Sequence, residues 1–184
     1  MAEATELIAE QVVSGSSTTT ITFGSIPQTY DDLKFIMSYM GTGSNWDYDY
    51  LTININGDTT NNYYQQGFMR IRSNQSTVAN MQNGFQSRIS YDSVGTDYNS
   101  QTNPGVCELE MPRYSGTTKK KQGTARFGML TSIQGQWNAG NGFSAPIAFW
   151  VYTPTSAITS VSLKQLSGAW KAGSKFSLYG ISNS

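Results

Sequence analysis

The sequence holds no histidine and one cysteine among its 184 residues, and only 13% of the chain is Asp, Glu, Lys or Arg. Each shortage excludes something. Without histidine there is no imidazole to act as general base near neutrality, so Ser-His-Asp and Cys-His nucleophilic chemistry is ruled out. One thiol, Cys107, cannot close an internal disulfide, nor supply the several Cys or His ligands of a zinc site. The 12 basic and 12 acidic groups cancel, so no global field draws the chain to nucleic acid or to an anionic membrane. No apolar run is long enough to cross a bilayer as a helix. Glu3, Glu6 and Glu10 interrupt the start where a secretory signal would need an apolar segment, so synthesis in a cytoplasm is expected.

What is abundant is Ser, Thr, Asn, Gln and Gly, set in short segments of period two. In "SSTTTITFGSIPQTYDDLKF", Ile21 and Phe23 alternate with threonines. Leu33, Phe35, Met37 and Tyr39 follow the same rule, as do Leu51, Ile53 and Ile55. Such alternation buries one face of a strand and wets the other. The pattern returns at 68–72, 88–91, 106–111, 126–131, 147–152, 158–163 and 176–181, giving roughly ten strands separated by turn residues, the signature of an antiparallel sandwich or barrel. The length suits one domain that buries roughly 70% of its unfolded surface. Residues 14–184 read as that domain and 1–13 as an N-terminal arm or edge segment. Within this start, "AEATELIAEQVV" is the one stretch with any helical flavour.

The connectors agree. Asn56-Gly57-Asp58 tolerates positive φ and belongs at a strand reversal. "WNAGNGFSAP" reads as a glycine-rich loop, and "LSGAWKAGSKF" turns the chain between the last two strands. In "GVCELEM", Cys107, Leu109 and Met111 share one face, which makes Cys107 a buried small hydrophobe and leaves Glu108 and Glu110 on the solvated side.

Carboxylate pairs are the remaining catalytic option: Asp47 with Asp49, Asp92 with Asp97, or Glu108 with Glu110. Glu108 and Glu110 share the solvated face of a strand and no pair can be placed across a cleft, so no catalytic, metal or cofactor-binding residue is assigned and an enzyme is not expected. Two stretches read better as contacts. Lys119, Lys120 and Lys121 form the sole charge run and would sit at a hairpin tip, either as a solvated turn or as a docking point for an acidic partner. Three lysines in a neutral chain offer too few phosphate contacts for nucleic acid. Trp46 and Tyr48 in "SNWDYDY", with Trp137 and Trp170, are candidate exposed aromatics for stacking on sugars, or else aromatics packing at the sandwich edge. Asp47 and Asp49 offer oxygen ligands to calcium, though no third or fourth acid stands close.

Three stretches, "SGSSTTTITFGSIPQTYDDLKF", "LTININGDTTNNYY" and "YTPTSAITSVSLKQLSGAWKAGSKFSLYGIS", together resemble a group of tailed-phage virion proteins that serve as capsid decoration or cement proteins and as tail-fibre modules. Residues from about Ser73 to Gly105 fall outside this resemblance. It implies an all-β, antiparallel two-sheet sandwich, jelly-roll-like, that works by assembly. Pro27 would preset a turn, and Tyr30 would cap the sandwich end with its hydroxyl on backbone. The last strand, apolar on both faces, would be covered on both, by the second sheet and a neighbouring subunit. The function implied is a non-enzymatic decoration protein on the outer capsid surface. Its partners would be the major capsid protein and itself as a homotrimer, with no cofactor, nucleic acid or membrane. The alternative is a tail-fibre or receptor-binding module that grips host glycans.

Overall fold

The structure, a computed structural model, describes residues 4–15, 17–42, 48–69, 79–81, 85–86, 89–96, 104–133, 140–145 and 147–183. Every regular element among them is a strand. β1 (Ala4–Val12), β2 (Thr20–Phe23), β3 (Asp32–Gly41), β4 (Tyr48–Ile55) and β5 (Tyr63–Met69) lead into short β6 (Ala79–Met81), β7 (Phe85–Gln86) and β8 (Ile89–Thr96). β9 (Gly105–Pro112), β10 (Lys121–Ile133), β11 (Gly140–Ser144), β12 (Ile147–Tyr152), β13 (Val161–Gln165) and β14 (Lys175–Ser182) complete the chain.

Two antiparallel layers result. One runs β1-β14-β3-β9-β10-β12-β5, and β6 and β7 extend it beyond β5. The other runs β2-β13-β4-β8. Pairing is nested: the first strand lies on the last, the second on the one before it, and β5 on β12. The chain switches layers at each step from β1 to β5 and again from β12 to β14, the wrapping of a jelly-roll-like sandwich. At its far end β3 also meets β8 in parallel, through Met40–Gly41 and Gly95–Thr96.

Period two dictates what lies between the layers. Leu33, Phe35, Met37 and Tyr39 of β3, Cys107, Leu109 and Met111 of β9, and Phe176 and Leu178 of β14 point inward from the larger sheet. Ile21 and Phe23, Leu51, Ile53 and Ile55, and Val161 and Leu163 meet them from the smaller. Phe23 stacks edge-on to Phe35 across the gap at 5.5 Å between centroids. Each large apolar side chain so buried contributes about 1.5–3 kcal/mol. Burial holds the Cys107 thiol well above its ordinary pKa, with Glu108 adding to the effect, so it is an inert part of the core.

Several expectations change at the ends of the sandwich. Of the arm and the edge strand open for the first residues, the structure takes the edge strand, paired to β14 along its length with a bulge at Ile8. "WNAGNGFSAP" is not wholly loop, since Gly140–Ser144 pairs with β10. Its glycines erase the side-chain pattern while leaving the backbone free to hydrogen-bond. Trp170, an exposed contact only under the glycan-gripping alternative, is fully buried: its ring centroid lies 5.0 Å from that of Phe176 and 5.5 Å from that of Tyr39, and it closes one end of the core. The capping role assigned to Tyr30 belongs to Tyr114, whose hydroxyl donates to the Pro27 carbonyl. Tyr30 instead donates to Glu6 of β1, which raises its pKa, and lays its ring against Gly180, where a Cβ would stand 2.3 Å from a ring carbon.

Candidate functional site

The turn after β4 is the polar feature most fully tied into the fold. Asn56 and Gly57 both take positive φ, at 53° and 69°, and the Asp58 N–H closes the turn on the Ile55 carbonyl at 2.9 Å. The Asn56 side chain clamps the β12–β13 loop, donating to the Ala157 carbonyl and accepting from the Thr159 and Ser160 N–H groups. Burial alone would raise the Asp58 carboxyl. Hydrogen bonds from Asn62, Thr60 and Tyr152 outweigh it and bring the pKa down to about 2. Tyr63 accepts from the Ile55 N–H and donates to the Asp58 carbonyl, and burial pushes its own pKa up to about 12. Every group here is spent on the turn, so it holds the fold together and presents nothing to a substrate.

Glu108 and Glu110 stand on the outer face of the larger sheet, as the alternation requires. They are components of an ionic ladder across β3, β9 and β10. Lys34 Nζ lies 2.8 Å from Glu108 and 3.9 Å from Glu110, Arg126 lies 3.5 Å from Glu108, and Thr124 donates to Glu110 at 2.9 Å. Carboxylates matched by cations on one flat face do not form a pair of acids facing each other across a cleft. Among the described residues no group of three or more Cys, Asp or Glu converges as a metal site.

Around this ladder the outer face carries apolar side chains that no other described element covers. Ile36 and Val106 lie on one side, at 48% and 50% exposure; Ile147 and Phe149 lie on the other, at 47% and 54%. Register places Ile36, Glu108, Arg126 and Ile147 in one row across four strands, and Lys34, Glu110, Thr124 and Phe149 in the next. The result is a broad, mixed surface, hydrophobic at its flanks and charged at its centre.

The lysine run proves to be two kinds of residue. Lys119 and Lys120 are exposed, but Lys121 is buried and cannot be part of an accessible tip. It opens β10 at an inward position, in line with Gly123, Ala125 and Phe127, opposite Tyr152. Its ammonium donates to the carbonyls of Gly116, Lys119 and Thr155. Burial lowers its pKa. The parity of Ala125 and Phe127 carries this signal in the sequence, though three consecutive lysines mask it. Arg113, missed by sequence reasoning, joins Lys119 and Lys120 around a depression of about 700 Å³ also lined by Pro112, Gly116 and Thr118.

Of the aromatic candidates, Trp46 and Trp137 lie outside the described residues, as do Asp47 and Asp97. Tyr48 opens β4, where the backbone alone is described; Asp49 and Asp92 lie on β4 and β8 in the same way.

No protein-family model matches the chain, and no curated protein does. Among solved structures, the carbohydrate recognition domain of Emp46p in its potassium-bound form is similar over 96% of this chain and 87% of its own. The identity is 8% and the TM-score 0.27, a likeness too slight to carry an argument.

Proposed function

We propose that the chain is a structural protein of a tailed-phage virion, a decoration protein that binds the outer surface of the head and stabilises the shell. The observation that carries this reading is the outer face of the larger sheet, which no other described element covers, with Ile36, Val106, Ile147 and Phe149 flanking the Lys34–Glu108–Arg126 ladder. A face of this composition, apolar with a charged register mark, suits docking on another protein. The virion setting comes from the resemblance of both ends and of the Asn56-Gly57-Asp58 hairpin to such proteins. A decoration protein needs no turnover: whatever binds only the assembled lattice adds its binding free energy to that lattice. The major capsid protein is the partner proposed, and a homotrimer the assembly.

The test is thermal. Heads assembled with the protein should release their DNA at a higher temperature than heads lacking it, and adding back purified protein should restore the difference. Equal release temperatures with and without bound protein would refute shell stabilisation.

A further inference from the structure

We infer that the depression beside the β9–β10 hairpin is an anion-binding site built to accept Asp or Glu side chains of a partner protein, with Arg113, Lys119 and Lys120 as its cationic contacts. It rests on the virion reading only for the name of the partner.

The first support is the distribution of charge. Lys34 and Arg126 are matched by Glu108, and Lys175 by Glu10 at 2.9 Å. Arg113, Lys119 and Lys120 form no ion pair among the described residues, although the chain as a whole is neutral. Two acids on β3 and just before it take neutral N–H donors rather than these cations' side chains. Asp32 accepts from the Arg113 backbone N–H at 2.8 Å and from the Asn183 side chain, and Asp31 accepts from the Asn183 N–H at 2.7 Å. Three cations whose side chains make no ion pair among the described residues are therefore gathered at one hairpin.

The second support is rigidity. The Lys121 ammonium gathers three carbonyls, two of them, Gly116 and Lys119, from the hairpin and the third, Thr155, from the β12–β13 loop. Tyr114 fastens the same hairpin to Pro27, and its carbonyl accepts from the Ile158 N–H at 2.9 Å. Arg113 holds a left-handed backbone with φ of 51°, which the Gly116 N–H locks by donating to its carbonyl. Lys121 is thus a positioning residue: it fixes the loop from which Lys119 and Lys120 project. A preordered loop loses less conformational entropy when a ligand binds.

The third support is shape. The lining mixes those cations with Pro112, Gly116, Thr118 and Gln122, a concave surface roomy enough to admit acidic side chains. Three cations at one hairpin in a neutral molecule neutralise too few phosphates to hold a nucleic-acid backbone at physiological salt.

The test needs no virus particle. A fluorescein-labelled peptide of six glutamates between Gly-Ser ends is titrated with the full chain and followed by anisotropy, beside a single-stranded hexanucleotide of matched charge. The variant Arg113→Asn, Lys119→Ser, Lys120→Ser leaves Lys121 in place, and asparagine tolerates the backbone at position 113. Unchanged circular-dichroism melting shows that the variant folds, and Lys164→Ser, an exposed lysine on β13, is the control. The triple variant should bind the peptide about tenfold more weakly, a factor of roughly two to three per exposed cation, while the control stays within a factor of two. Equal peptide affinity in the triple variant and the parent would overturn the site. Oligonucleotide binding as tight as the peptide's, and lost in the same variant, would overturn the choice of partner. Peptide binding that behaves as expected while the protein fails to join heads would refute the virion reading and leave this site standing.

Discussion

The two faces of the larger sheet are made by the same strands and obey opposite rules. Inward, β9 shows Cys107, Leu109 and Met111, each essentially without solvent exposure; outward it shows Val106, Glu108 and Glu110, each at least partly exposed. β10 repeats the contrast, with Ala125 and Phe127 inside and Thr124 and Arg126 outside. The inner face fixes the fold through burial, which is insensitive to the order of like residues. The outer face keeps charge and exposed apolar area in register across four strands. Core packing and the exposed face on which the proposed docking rests fall in this way to alternate residues of one strand.

That division is broken most severely from inside. Trp170→Ala removes the ring that closes the core against Tyr39 and Phe176. It should cost about 3–5 kcal/mol, read as a shift in the urea unfolding midpoint. A loss below about 1 kcal/mol would mean that the end of the sandwich is not packed as described.

A smaller effect separates structural polar groups from the recognition face. Asp58 titrates at about 2 in the folded chain against an ordinary value of 3.8. Its contribution is therefore fully present above the ordinary value and disappears as pH falls through about 2. With solvent screening it amounts to about 1 kcal/mol. Unfolding curves of the parent and of Asp58→Asn should differ by that amount at pH 6 and converge in strong acid. A constant gap would assign the effect to lost geometry rather than to charge.

The smallest stability effect belongs to the outer face. Phe149→Ser and Lys34→Ala should each change unfolding free energy by less than about 1 kcal/mol, the Lys34 effect shrinking in salt. Phe149→Ser should nonetheless weaken attachment to heads in a pull-down with purified capsids. A large loss of stability with attachment unchanged would erase the contrast between the faces.

Much of the inner face was legible in the sequence because period two survives wherever strands carry alternating side chains. β3 and β9 are such cases, and in β9 the alternation alone puts Cys107, Leu109 and Met111 on the inward face. For β1 the sequence leaves an edge strand and a free arm both open, because a strand exposed on both faces has no apolar alternation to display. β11 escaped because Gly140 and Gly142 have no side chains to alternate. The site was less legible, because local sequence does not distinguish Lys121 from Lys119 and Lys120. What separates them is register: Lys121 opposes Tyr152 on the inward row, whereas its neighbours precede the strand. Trp170 is hard to place from sequence for a related reason, since its Ser, Gly and Lys neighbours look like a surface turn while its ring enters the core. Arg113 comes close to the lysines only through the hairpin.

Counting the protein on purified particles by cryo-electron microscopy tests the central claim most directly. A regular layer of density on the outside of the head, in fixed ratio to the capsid protein and touching it through the outer face of the larger sheet, is the predicted result. A handful of copies confined to the tail, or heads bare of the protein, would contradict it.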